Sequence, residues 1–462
     1  MPSYKDRVNE QKKWNPSLHN LCEFLNDTSS KPEDSSTGPN IGFIQFNHND
    51  SGKRKFESSS IEELTKWLST IKEPPNQTND TKTSLGRLLF VEDLNREVIE
   101  LIGSKADIDP FFFASHLDGV SLEIDYPRPS TVILPSIARD QNYITLQYQK
   151  ALEFSNEKVD KSVQDYDKLN RNCILPRKLT ILPETKKKKL GLAQYCCSIC
   201  LKAIKEDFWL GIILVDPPDE CIYKGKGKDR ELLFKSKPFQ GGHDVFLRQD
   251  LYNEVEVLAG SQNRHSMLNI LKIYWCNNIQ SQFRPESPSL LSLSYFSLKV
   301  VAGEWVTYVE ALSHQIKQHE HSGDALSHNH GIDARHKSKK NSRNGSSQHN
   351  GVNTQQQHKH LGHTEHSQDT SSKKQPKQTR DTRSQKIDTV SQLQFDLVHL
   401  EKWGRRCIQT IPKLETAIRF VHSRSIAEKS PTDQEVYNLI EEDYKHLVAR
   451  LPKFKLQTLG DL

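Results

Sequence analysis

The segment Phe208-Trp209-Leu210-Gly211-Ile212-Ile213-Leu214-Val215 is apolar throughout and stops at Asp216-Pro217-Pro218. A strand with one wet face alternates apolar and polar residues, so a continuous run reads as an interior strand of a sheet covered on both faces. The prolines after it form a rigid exit turn. Upstream, Leu88-Leu89-Phe90-Val91 is a second short apolar run, readable as a buried strand. Asp93 or Asn95 then caps a helix burying Val98, Leu101 and Ile102, with Gly103 near its C-terminus. Asp109-Pro110 starts another, because proline at the first helical position sacrifices no backbone bond. Phe111, Phe112, Phe113 and Leu117 follow on it.

Further strands are expected at Thr131 to Leu134, Tyr143 to Tyr148 and Tyr195 to Leu201. Lys150 to Asn170 is polar and helix-permissive, and Pro217 to Gln240 is a basic, glycine-containing connection. Beyond it the pattern turns helical. One helix is expected over Phe246 to Leu258, and a second over Ser266 to Ile279 with Met267, Leu268, Leu271 and Trp275 on one side. A third, about Leu290 to Gln315, carries Phe296, Val300, Val301, Trp305, Tyr308, Val309 and Leu312. The clearest periodicity follows later: Val390, Leu393, Leu397, Leu400, Cys407, Ile411, Leu414, Ile418 and Val421, with Gly404 filling the gap. Steps of three and four make a heptad-like seam, which Pro412 is placed to bend. Ser430-Pro431-Thr432-Asp433 then starts a last helix through Val436, Leu439, Tyr444 and Leu447.

The fold class expected is therefore α+β or α/β, a mixed sheet flanked by helices and followed by long, stalk-like antiparallel helices. Of the 462 residues only 34% are hydrophobic, and mean hydropathy is −0.71. That deficit sits in a few polar tracts. Residues 1–85 read as largely disordered, with a short strand and a helix at 41–70, where Ser60 to Glu63 fits a capping box ahead of Leu64, Trp67 and Leu68. Residues 86–245 form the α/β domain, 246–316 a helical region, and 317–385 a disordered His-rich insert. Residues 387–450 hold the long helix and a helical hairpin, and 451–462 a frayed tail.

Net charge is +5, close to balance over this length, so no nucleic-acid partner is expected. No apolar stretch approaches the roughly 20 residues of a membrane span, and none follows Met1 as a secretory signal would. The chain as given is expected to be soluble and cytoplasmic, and membrane-associated only if a full-length form carries transmembrane helices. Eight irregularly spaced cysteines suit a reducing compartment.

Chemistry-bearing motifs are sparse. Cys196, Cys197 and Cys200 supply one CxxC step without the second pair that structural zinc normally needs. On a strand, Cys196 and Cys200 share a face and Cys197 takes the other; buried, inert cysteines are favoured over zinc or redox use. Eleven of the 19 histidines fall between His314 and His366. The pairs His319 with His321 and His328 with His330, and the cluster His358, His360, His363 and His366, are candidate ligands for weak, adaptable Zn²⁺ binding; a solvated spacer is the favoured reading. His116 reads as a helix-surface or capping residue, and His243 lacks a third triad member. Asp216 ends a buried strand, where α/β enzymes place functional groups, although an exit turn explains it equally well. The Lys224 to Lys228 run lacks the Walker spacing, and Lys186 to Lys189 reads as a solvated loop. No enzyme class is supported.

Leu101-Ile102-Gly103-Ser104-Lys105-Ala106-Asp107-Ile108-Asp109-Pro110-Phe111-Phe112-Phe113-Ala114-Ser115-His116-Leu117 resembles a segment of fungal CorA-like proteins, relatives of the CorA magnesium-transporter superfamily. In that family a helix is followed by an Ile-Asp-Pro-x-Phe-Phe-x-x-His-Leu element in the cytosolic α/β domain. Tyr143 to Tyr148 resembles a later strand, Trp209 to Pro217 the tryptophan-led strand, and the long helices at 290–316 and 387–425 match the helical stalk in position. The resemblance covers roughly residues 85–450, apart from the His-rich insert.

Family transporters end in two membrane helices with a Gly-Met-Asn signature, which this sequence lacks. The resemblance therefore implies a non-catalytic cytosolic domain, a divalent-cation-responsive regulatory or interaction module without a pore of its own. The alternative is a truncated or partial transporter of magnesium or another divalent metal whose membrane helices are missing from this chain. The resemblance also implies Mg²⁺ bound by acidic residues between subunits. Glu92 and Asp93, at the end of the first buried strand, are the candidates, with a surface pair in a capping role as the plainer reading. Homo-oligomerisation through the long helices is the expected partnership.

Overall fold

The computed structural model describes residues 3–27, 38–48, 53–71, 84–118, 140–155, 168–169, 173–181, 188–218, 221–223, 231–233, 237–242, 263–277, 282–340, 382–427 and 430–460. In chain order these contain α1 (Tyr4–Lys12), α2 (His19–Asn26), β1 (Asn40–Asn47), β2 (Phe56–Ser59), α3 (Ile61–Thr70), β3 (Ser84–Glu92), α4 (Arg96–Ala106) and α5 (Pro110–Leu117). There follow β4 (Tyr143–Ser155), β5 (Lys168–Leu169), β6 (Arg177–Ile181), β7 (Lys188–Lys205), β8 (Phe208–Val215), β9 (Cys221–Tyr223) and β10 (Glu231–Leu233). The helices α6 (Met267–Cys276), α7 (Leu290–Lys340), α8 (Thr382–Ser425) and α9 (Pro431–Gly460) complete the set.

Residues 1–314 and 403–462 make one compact unit, and 315–402 a second. In the first, the strands form a mixed sheet ordered β10-β9-β5-β6-β7-β8-β3-β1-β2, with β4 paired to β7. Among the described residues its parallel pair is β3 with β8, aligned from Gly86 opposite Trp209 to Glu92 opposite Val215. Leu88, Leu89, Phe90 and Val91 are fully buried, and so are Leu210 and Ile212 to Val215, as two-sided burial of a continuous apolar run requires. One face carries Leu89, Val91, Ile212 and Leu214 into a core shared with α1 to α5. Met267, Leu268, Leu271 and Trp275 of α6 are buried, as is the apolar set from Phe296 to Leu312 on α7.

Local signals act where the sequence places them. Ser60 and Glu63 form a reciprocal capping box at α3, and Asp109 caps α5, with Pro110 at its first turn. Asn95, not Asp93, caps α4, accepting from the Val98 amide.

The first correction concerns the N-terminus. Residues 3–26 are two helices joined through a 3-10 turn at Pro16–Leu18 and built into the core, with Tyr4, Val8, Leu18, Leu21, Phe24 and Leu25 buried. α1 has only two apolar contacts in nine residues, too few to mark a helix in a polar tract. It is docked by shape instead. Tyr4 lies on Gly103, where an added Cβ would come within 2.6 Å of its ring, and its hydroxyl donates to the Ile108 carbonyl.

The helix-permissive reading of 150–170 is also corrected at its two ends, residues 156–167 lying outside the described residues. Residues 150–155 continue β4, and 168–169 form β5. The full-length ladder from Tyr143–Cys200 to Ser155–Lys188 supplies backbone bonds that outweigh the local preference of this polar stretch.

In the second unit, residues 317–340 and 382–385, expected to be disordered, are helical in backbone. Extending a helix already nucleated by a buried segment adds one bond per residue fixed and avoids the nucleation penalty. The expected tail is likewise helical as far as Gly460. The expected strand at 131–134, the helix at 246–258 and residues 341–381 lie outside the described residues.

From residue 403 on, the heptad seam of α8 holds at Cys407, Leu414 and Val421, its alternate positions lie one residue earlier than read, and the side chains of Val390, Leu393, Leu397 and Leu400 lie outside the described residues. Trp403, Cys407, Thr410, Leu414, Ala417 and Val421 are buried, and Gly404, Ile411 and Ile418 flank them half-buried. Thr410 meets the Tyr308 hydroxyl of α7 at 3.2 Å, drawing a polar residue to the centre of the contact. At the far end α8 and α9 form a packed pair. His422 Nδ1 lies 3.2 Å from Glu441 Oε2, and Gln434 Nε2 donates to the Ser425 carbonyl.

Candidate functional site

The carboxyl ends of parallel strands bring side chains to one edge of a sheet, and β3 and β8 end together here. Glu92 and Asp93 leave β3, and Asp216 leaves β8 immediately before the two prolines. All three are buried.

Asp216 is held by a guanidinium. Arg177 Nη2 and Nε donate to Asp216 Oδ1 at 2.6 and 2.9 Å, and the Cys196 amide donates to Oδ2 at 2.6 Å. The remaining Arg177 donor, Nη1, reaches the carbonyls of His116 and Asp118 at 3.0 and 3.2 Å. Burial pushes the Asp216 carboxyl up, and Arg177 opposes the shift. Burial depresses Arg177, but Asp216, with Cys196 and Cys173 adding, holds the guanidinium above its ordinary value. The pair is a charge-assisted, fork-shaped contact closed to solvent.

His116 lies beside it, fully buried, its Nδ1 3.0 Å from the Ser198 hydroxyl. Ser198 continues a hydroxyl chain to Thr145 at 3.1 Å and from there to Ser115 at 2.7 Å. Burial, with Arg177 adding, lowers the imidazole well below its ordinary value, so it is neutral. Its Nε2 is unpaired, 3.9 Å from Asp216 Oδ1. The expected surface histidine is thus an interior one. The His116 end of the Ile-Asp-Pro element is pinned to the sheet through these polar bonds.

Glu92 and Asp93 face different partners. Glu92 accepts from Ser266 Oγ at 2.9 Å and from Asn40 Nδ2 at 3.1 Å. Asp93 sits in the left-handed region at φ 64° and accepts from the Ile174 and Leu175 amides at 2.9 to 3.1 Å. Burial pushes Glu92 up and Asp93 up to about 6. Neither is a surface pair or a cap; they tie α6 and the approach to β6 to the sheet edge.

The cysteines Cys196, Cys197 and Cys200 are buried in β7 as free thiols, the first and third pushed up to about 12 by burial. Such thiols are poor ligands and poor nucleophiles. Among the described residues, no three His, Cys, Asp or Glu side chains gather as a metal site. His319, His321, His328 and His330 fall on the α7 backbone in the second unit, while His358, His360, His363 and His366, with His243 and the Lys224 to Lys228 run, lie outside the described residues.

Arg177 is the member of the cluster the sequence did not single out. Its signal is indirect: an aspartate closing an all-apolar strand needs a buried counter-charge.

No family model matches the chain, and no curated protein matches it. No described helix is long and apolar enough to cross a membrane.

Proposed function

We propose that the chain is a non-catalytic module of the CorA-like cytosolic type, which works by assembly and responds to divalent cations, Mg²⁺ first. The observation that carries this reading is the condition of Asp216, Arg177 and His116. They are the groups closest to a catalytic constellation, yet all three are closed to solvent and committed to one another, to backbone or to Ser198. A general acid, base or nucleophile must reach a substrate proton or carbon within hydrogen-bond distance, and these groups serve as internal struts. A mixed sheet followed by long packed helices is also the order of elements that the resemblance implies. Glu92 and Asp93 already have internal partners, so the proposal places the cation on acidic side chains brought together between copies.

The test is light-scattering mass of the full chain with and without millimolar Mg²⁺, repeated with Zn²⁺. A discrete oligomer whose mass changes with Mg²⁺ is expected. A monomer indifferent to Mg²⁺ overturns the reading. A response to Zn²⁺ alone, abolished by deleting residues 317–385, would overturn it too and assign the cation to the histidines.

A further inference from the structure

At the β2 margin of the sheet, β1, β2, β3 and α3 enclose a cleft of about 230 Å³. Strand register builds its floor. Phe43 lies between Glu57 of β2 and Leu89 of β3, and Gln45 lies opposite Arg87. Alternate residues of β1 share a face, so Phe43 and Gln45 both present to the cleft side. The capping box starts α3 directly after β2 and carries Trp67 over Arg87. The guanidinium carbon is 4.2 Å from the Phe43 ring centre and 4.5 Å from that of Trp67, so the cation is clamped between two rings.

The clamped cation is incompletely satisfied. Arg87 Nη2 donates to Gln45 Oε1 at 2.7 Å, while the buried Nε has no acceptor. Among the described residues no carboxylate pairs with Arg87. Burial draws it down to about 10, with Glu57 opposing. A part-buried guanidinium without a carboxylate counter-charge is incompletely compensated, and a ligand carboxylate would supply one. The lining also includes two carboxylates, Glu57 and Glu63, with Leu64 as apolar wall. Glu63 uses one oxygen on the Ser60 amide.

These charges select the ligand. A simple anion would meet the Arg87 donor but be repelled by Glu57 and Glu63. A simple cation would suit the glutamates and leave Arg87 as it is. We propose that this cleft binds a small zwitterion of the α-amino acid class, its carboxylate on the Arg87 guanidinium, its ammonium toward Glu57 and Glu63, and its side chain on Leu64 and Trp67. The volume lies below the roughly 300–1,000 Å³ of drug-sized sites, which suits a ligand of this size. The site is separate from the assembly reading and stands or falls without it.

The experiment is calorimetric titration of the full chain with leucine, with 4-methylpentanoate, which lacks the amine, and with isoamylamine, which lacks the carboxylate. Leucine is expected to bind saturably, one per chain, and each analogue about tenfold more weakly or less. Arg87→Met should abolish leucine binding. Glu57→Gln, at an exposed position that leaves the core intact, should weaken leucine and strengthen 4-methylpentanoate. A leucine dissociation constant weaker than about 1 mM, binding unchanged in Glu57→Gln, or analogues that bind as well as leucine would each overturn the proposal.

Discussion

Arg177 and Asp216 share two short donor–acceptor contacts in a closed interior, so each is the other's only charged partner, and backbone groups supply the rest of what hydration would have given. Replacing Arg177 with Met should destabilise the fold by about 3–5 kcal/mol, because Asp216 is left buried and unpaired. The double replacement Arg177→Met with Asp216→Leu should recover much of that loss. Urea unfolding of the four proteins in a double-mutant cycle measures the difference; additive losses would show that the two groups do not act as a pair. The pH dependence follows from neighbouring groups with opposite shifts. His116 is lowered, so its contribution is present above its ordinary value of 6.5 and is lost as pH falls below it. Asp93 is raised from 3.8 to about 6, so its contribution is present at low pH and is lost as pH rises through about 6. Between pH 7 and 5 the two oppose. His116→Gln should therefore flatten the loss of stability on acidification, and Asp93→Asn should steepen it, each by at most about 1.4 kcal/mol per pH unit. Parallel shifts in the two variants would contradict these assignments.

At the scale of the element, α8 separates pattern from packing. Its apolar residues repeat at steps of three and four, but the buried line runs through Trp403, Thr410 and Ala417 where the apolar count alone favours Gly404, Ile411 and Ile418. Two adjacent heptad lines differ by about 100° around the helix axis, and the choice between them belongs to the surface they meet. Here that surface presents the Tyr308 hydroxyl, which Thr410 can bond and Ile411 cannot. Leu414→Asp should destabilise by at least about 3 kcal/mol, while Ile408→Asp, at a position 50% exposed, should stay within about 0.5 kcal/mol. Ala417→Leu should lower stability by about 1–3 kcal/mol through overpacking, and Ile418→Ala should be milder than Leu414→Ala. Thermal unfolding of this set reads the register directly: no loss in Ala417→Leu together with a loss in Ile418→Ala as large as that in Leu414→Ala would restore the line read from the sequence.

For the whole molecule, the N-terminal helices are the informative part. Six of their apolar side chains are in the core, each worth about 1.5–3 kcal/mol on burial, a sum comparable with the roughly 5–15 kcal/mol that holds a typical fold together. Deleting residues 1–27 should therefore abolish cooperative thermal unfolding; a truncated chain melting within a few degrees of the intact one would show that α1 and α2 are dispensable. The apolar runs at 88–91 and 208–215, the capping box at Ser60 to Glu63 and Asp109-Pro110 were legible as they stood, because hydrophobic periodicity and capping are local and need no knowledge of neighbours. So were the α/β body and the helical character of the C-terminal part. The sequence alone also determined that a charged residue, Asp216, would end a buried strand. Only the tertiary structure decided what answers that charge, since Arg177 lies 39 residues away and is reached through the β7 ladder. It likewise decided that His116 is interior, that a polar N-terminal helix docks on Gly103, and that Arg87 is clamped beneath Trp67. The physical reason is common to all of these: a partner for a buried polar group is chosen by position in space, and the chain sets that position only after its strands have paired.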